Sequence, residues 1–193
     1  MSINRFTQEL LGSDLRSLGR VSEVVKMVID QKSFDELFNL VFHTERLLVM
    51  RAVDAVEKIT VKHQYYLVPH KRQLLSILRS ADHKELKWHI AQLVTRIKLN
   101  KDELADVWHI LTYWTLNKNE SKIVRVNSLQ GLFDLSKQYP RLQHEFMRVL
   151  LQVQREMIPS IQSRVRKIKR LMNQVSHTNG GLKTQRLVKR ARV

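Results

Sequence analysis

The sequence predicts an all-α fold, a right-handed α-α superhelix of about four helix hairpins with an N-terminal capping helix. Three observations predict it. Glycine and proline are scarce, 5 and 3 in 193 residues, so forced turns are few and long helices are favoured. The chain repeats itself with a period of 37–38 residues. Within each copy, apolar residues step by three and four, as one face of a helix requires.

The repeat rests on five columns. Leu40, Leu78, Leu116 and Val153 form the first, and Leu48, Leu86, Val124 and Ile161 the second. Ala52, Ile90, Ser128 and Val165 follow, then Ala55, Leu93, Gly131 and Ile168, then Ile59, Ile97, Leu135 and Met172. Each column stays small or apolar through nearly every copy. A hairpin this short cannot bury its apolar stripe alone, so copies stacked side by side share one continuous core.

The elements follow in order. A helix near 21–31 caps the N-terminal end. First helices are expected over 34–43, 70–80, 102–116 and 141–156. Second helices carry Leu48 to Ile59, Leu86 to Ile97, Val124 to Leu135 and Ile161 to Met172. Asp82-His83 and Asn117 to Asn119 break two hairpins, Gln138-Tyr139-Pro140 separates the third and fourth copies, and Pro159 opens the last second helix, where its missing N–H costs nothing. Trp108 and Trp114, beside Val107 and Leu111, are expected in the core.

Composition excludes several kinds of chemistry. Without cysteine there are no disulfides, thiolate metal sites or cysteine nucleophiles. No run approaches the ~18 apolar residues of a membrane span, and Met1 to Arg5 lacks the apolar core of a signal peptide; a cytoplasmic protein is expected. His144-Glu145 lacks the second histidine of a zinc-protease helix, since Arg148 stands there. Asn179 to Thr184 is glycine-rich but lacks the adjacent Gly-Lys of a phosphate loop. No catalytic set, metal site or cofactor is expected.

The formal charge is +16, unevenly spread. The last acidic residue is Glu156, and ten basic residues follow from Arg164 onward. The other 24 basic residues face all 18 acidic ones, leaving +6 over residues 1–163. Arg164 to Leu171 keeps helical spacing and reads as the end of the last repeat. Ser176 to Gly181 reads as a linker. The expected division is a domain over 1–175 and a basic tail over 176–193, with Lys183, Arg186, Lys189, Arg190 and Arg192 available to phosphates, an acidic protein or a membrane surface.

Leu47-Leu48-Val49-Met50-Arg51-Ala52-Val53-Asp54-Ala55-Val56 resembles the HEAT-repeat consensus, in which a valine and an arginine precede two alanines. Val124-Arg125 keeps the valine–arginine step, and Leu86-Lys87 replaces it with lysine. The resemblance covers roughly residues 34–172 and extends to small bacterial HEAT-repeat proteins without assigned activity. It implies a non-catalytic scaffold that binds a protein partner along a concave face lined by the second helices. Carried over by position, that face reads Arg51, Asp54, Trp88, His89, Gln92, Arg96, Asn127, Gln130, Arg164 and Lys167, all expected to point out of the core. An exposed Trp88 would stack on a base or anchor a partner's side chain; its other reading is burial against a neighbouring repeat. The alternative is nucleic-acid binding of low sequence specificity. Its enzymatic extreme resembles the HEAT-like DNA glycosylases, with Asp54 beside Arg51 and Trp88 as the nearest constellation; Asp54 is more simply a partner for Lys58 at i, i+4.

Overall fold

Each hairpin's apolar stripe needs a neighbour to cover it, and helices supply that cover throughout. The computed structural model describes residues 5–11 and 20–190, with side chains to residue 174. Among the described residues there is no strand. The chain divides into two compact units, Met1–Leu132 and Phe133–Val193, where the sequence reading has one body over 1–175.

The first unit begins with α1 (Arg5–Leu11) and α2 (Val21–Met27). It continues with α3 (Gln31–Phe38), α4 (Arg46–Thr60), α5 (Lys71–Ser80), α6 (Lys84–Leu93) and α7 (Lys101–Leu116). Helix α8 (Lys122–Gln138) carries the chain into the second unit, which holds α9 (Gln143–Gln154) and α10 (Pro159–Arg190). The four expected first helices correspond to α3 with the 3-10 turn Asn39–Phe42, α5, α7, and α9 with the turn Pro140–Leu142.

Two boundaries differ from expectation, for local reasons. The helix expected over 21–31 ends at Met27, because Asp30 is extended and caps α3 instead. Its carboxylate accepts the Ser33 N–H at 2.8 Å, and the Ser33 hydroxyl accepts the Asp30 N–H at 3.1 Å. This reciprocal box uses serine where glutamate or glutamine is the common partner. At α7 the common form appears, with Asn100 and Glu103 exchanging bonds of 2.9 and 2.8 Å. The second difference lies at the C-terminal end. The linker expected over Ser176 to Gly181 is helical backbone, continuous to Arg190. The segment has no proline, and the local opposition is the low helix propensity of its residues, largest at Gly180 and Gly181 with about 1 kcal/mol each.

The core follows the columns. Leu48, Ala52, Ala55, Ile90, Leu93, Val124 and Leu135 are all buried, as are Trp108 and Trp114. Leu86, Leu116 and Met172 are half-buried. The Lys87 ammonium lies 5.6 Å over the Trp114 ring and pairs with Glu120 at 2.6 Å.

Two core positions carry testable consequences. A Cβ built on Gly131 would lie 2.7 Å from the Ala91 carbonyl oxygen and 3.1 Å from Leu111 Cδ1. Backbone cannot yield as a side chain can. Gly131→Ala is therefore expected to destabilise by about 1–3 kcal/mol, although alanine is the better helix former by about 1 kcal/mol. Urea midpoints decide the sign. Ser128 stands in a column otherwise apolar, fully buried, with no partner for its hydroxyl. Ser128→Ala removes an unsatisfied polar group and is expected to raise stability by about 1 kcal/mol, read in the same titrations.

Candidate functional site

The row expected to face outward does not do so as a whole. At 100° per residue, Arg51 lies about 70° from the middle of the α4 apolar stripe and Asp54 about 130°. Such positions are exposed on a helix covered from one side. Helix α4 is covered from several: α1 and α2, α3, and α6 all pack against it. Residues 51–56 are consequently buried without a break. Arg51, Asp54, His89 and Asn127 are therefore corrected from exposed to buried, Arg51 and His89 to 1% exposure.

Arg51, Arg125, Asn127 and Asp54 are each accommodated locally. The Arg51 guanidinium donates to the Leu10 and Leu11 carbonyl oxygens, the second at 2.9 Å. These carbonyls end α1 and have no partner within it, so a cation placed there satisfies them and meets the negative end of the helix dipole. Arg125 does the same for α7, donating to the Thr115 carbonyl at 2.9 Å. Asn127 donates to the Ile123 carbonyl one turn back, at 2.8 Å. The Asp54 carboxylate accepts from Lys58 at 2.8 Å, the i, i+4 pair expected from the sequence.

The structure also adds a residue that sequence reasoning missed. Glu57, on α4, receives Arg96 at 2.9 Å and faces His89 Nδ1 at 3.6 Å. Arg96 donates as well to the Glu57 carbonyl at 2.6 Å and the Thr60 hydroxyl at 2.7 Å. The His89 contact is an ion-pair distance too long for a hydrogen bond, and its Nδ1 has no other partner. A signal for these contacts exists in the numbering. Polar contacts between copies recur near the repeat length, at separations of 39 for Glu57–Arg96, 39 for Arg46–Glu85 and 35 for Asp35–His70.

Asp54, Glu57 and His89 each offer a ligand atom, all within 4.8 Å of one another. Lys58 and Arg96 already balance the two carboxylates. A divalent cation would add charge to a neutral cluster, so the donor set fits a salt-bridge network better than a metal site.

The rest of the row is only partly accessible. In the first unit Trp88, Gln92, Arg96 and Gln130 are half-buried. The Trp88 indole stacks on the His89 ring, and Gln92 reaches back to the Trp88 carbonyl at 3.5 Å. In the second unit Lys167 is exposed, while Arg164 is half-buried. Burial pushes the Arg164 guanidinium down from its ordinary value, and the nearby Asp134 carboxylate works against this. Lys183, Arg186, Lys189 and Arg190 fall on α10 backbone, but their side chains lie outside the described residues, as does all of Arg192.

Burial would raise the Glu57 pKa, but His89 and Arg96 outweigh it and hold the carboxyl below the ordinary range. A depressed carboxylate stabilises the fold above its unfolded value, and that contribution is lost as pH falls through the folded one. Glu57→Gln is expected to cost roughly 2–3 kcal/mol at neutral pH, between exposed and buried ion pairs. The gap to wild type should hold at higher pH and close only below the ordinary carboxylate range. Urea titrations of both proteins across pH check this.

No curated protein and no solved structure matches the chain. A family model described as a HEAT repeat domain matches residues 8–172. That span includes α4, α6 and α8 with their buried polar columns, and the chain belongs to the HEAT repeat family.

Proposed function

We propose that the protein is a non-catalytic interaction module that docks a protein partner on the second-helix surface of the first unit. HEAT repeats generally serve as protein-interaction scaffolds. The observation that carries the reading here is Trp88, half-buried on α6 and stacked on His89, on a helix that packs against α4, whose Asp54 and Glu57 carboxylates are already matched. A part-exposed tryptophan is among the residue types enriched at interface centres. The pairing of Asp54 with Lys58 and Glu57 with Arg96 leaves this face without excess positive charge. That favours a protein over a polyanion at this place.

Catalysis by Asp54 finds no support in its setting. Its carboxylate is buried and bonded to Lys58, and its neighbour Arg51 is turned to the end of α1. The nucleic-acid alternative is favoured by one observation, the charge excess of the second unit.

The test is affinity purification of the full chain from its native cells, with wild type and Trp88→Ala side by side in 0.3–0.5 M salt, about the range where surface charge pairing is screened. A partner held by wild type and lost by Trp88→Ala is expected, with roughly 30-fold weaker binding in calorimetry against the purified partner. Identical retention by both proteins would contradict the reading. So would a Trp88→Ala protein that keeps its partners but loses binding to a DNA duplex.

A further inference from the structure

The second unit, Phe133–Val193, holds 14 of the 34 basic residues and three of the 18 acidic ones. It therefore carries +11 of the +16 total. The two units treat their cations differently. In the first, at least nine lysines and arginines hold carboxylates, among them Arg46, Lys71, Lys87 and Arg96. In the second, Lys137 pairs with Asp134 at 3.8 Å, and Arg164 also lies near Asp134.

Helix α9 shows where the unmatched charge goes. Its buried residues are Phe146, Val149, Leu150 and Val153, which pack the unit's interior, with Leu142 before them. The opposite face presents His144, Arg148 and Leu151, all exposed, and Arg141 in the preceding 3-10 turn and Arg155 at the C-cap of α9 are exposed as well. The three arginines are seven residues apart along α9 and its two flanking turns, which spaces their backbone positions by about 10 Å. None of the three has an ion-pair or hydrogen-bond partner among the described residues. Glu145, between Arg141 and Arg148, is half-buried and pairs with neither.

We infer that this arginine row docks the phosphate backbone of double-stranded nucleic acid. Guanidinium forks match phosphate oxygens two at a time, and backbone positions about 10 Å apart put successive arginines within reach of the phosphates that flank a groove of ~12 Å. Single strands are held chiefly by aromatic platforms. The aromatic residues of the described part of this unit are Phe133, Tyr139 and Phe146, two buried and one half-buried. An anionic membrane surface attracts the same charge without insertion, so competition by vesicles separates it from a duplex. Backbone contacts of this kind carry no base information, so binding is weakly sequence-selective.

The inference stands apart from the docking surface of the first unit, and Trp88→Ala should leave it unchanged. Its test is fluorescence anisotropy of the full chain on a labelled duplex of about 25 base pairs, over a salt series. The variants are R141Q/R148Q/R155Q and a tail variant with Lys183, Arg186, Lys189, Arg190 and Arg192 changed to Gln. All three arginine sites are exposed, so circular dichroism should be unaltered; Arg148→Glu alone serves if the triple variant unfolds. The triple variant is expected to bind at least tenfold more weakly at about 0.1 M salt, and its log–log salt slope should fall by about 2.7, or 0.9 per phosphate contact. Polyglutamate or anionic vesicles should compete poorly. An unchanged slope in the triple variant with binding abolished in the tail variant would overturn the inference. Tighter binding of wild type to vesicles or polyglutamate than to duplex would also overturn it.

Discussion

Helix α4 is enclosed on nearly every side, and most of what distinguishes this molecule follows from that enclosure. A two-helix unit leaves its apolar stripe half covered, so the next hairpin must complete it. In the first unit α1, α2 and α3 cover one part of α4, and α6 covers another. Over residues 51–56 a helix so enclosed has no free polar flank, and solvent reaches it at Arg46 and Lys58. Every polar side chain that its neighbours cover must be satisfied inside the protein. Arg51 meets this by ending α1, Asp54 by holding Lys58, and Glu57 by receiving Arg96 from the following repeat.

The same constraint explains what was legible in the sequence. The period, the helices and the core columns could be read because they depend on side-chain pattern, which stacking preserves. Leu48, Ala52 and Ala55 fall where the columns place them. The outward row could not be read, because a column names a direction on one helix and not what lies beyond it. Arg51 and His89 look solvent-facing on a helix wheel and are sealed by neighbouring elements. Glu57 escaped notice because its partners, His89 and Arg96, belong to the next copy. The break before α3 was hidden for a smaller reason, a capping box closed by Ser33 instead of a longer side chain.

Charge is arranged according to the same division. In the first unit at least nine cations are matched to carboxylates, several of them across copies, and these act as register pins between repeats. An exposed pair such as Arg46 with Glu85 contributes little on its own. The half-buried Lys87–Glu120 pair, roofed by Trp114, has more effect because water screens it less. In the second unit carboxylates are too few to match the cations, and Arg141, Arg148 and Arg155 stand unpaired along α9 and its flanking turns. One surface is thus neutral and centred on a tryptophan, the other basic and regularly spaced.

The enclosure of α4 and α6 is tested most directly by histidine modification of the native protein with diethyl pyrocarbonate, read residue by residue by mass spectrometry. His43, His63, His83, His109 and His144 are exposed, while His70 and His89 are buried. The account predicts rapid modification of those five, with His70 and His89 protected until the protein unfolds. Modification of His89 in the folded protein at the rate of His83 or His144 would contradict it, and would return the polar row of α6 to the surface.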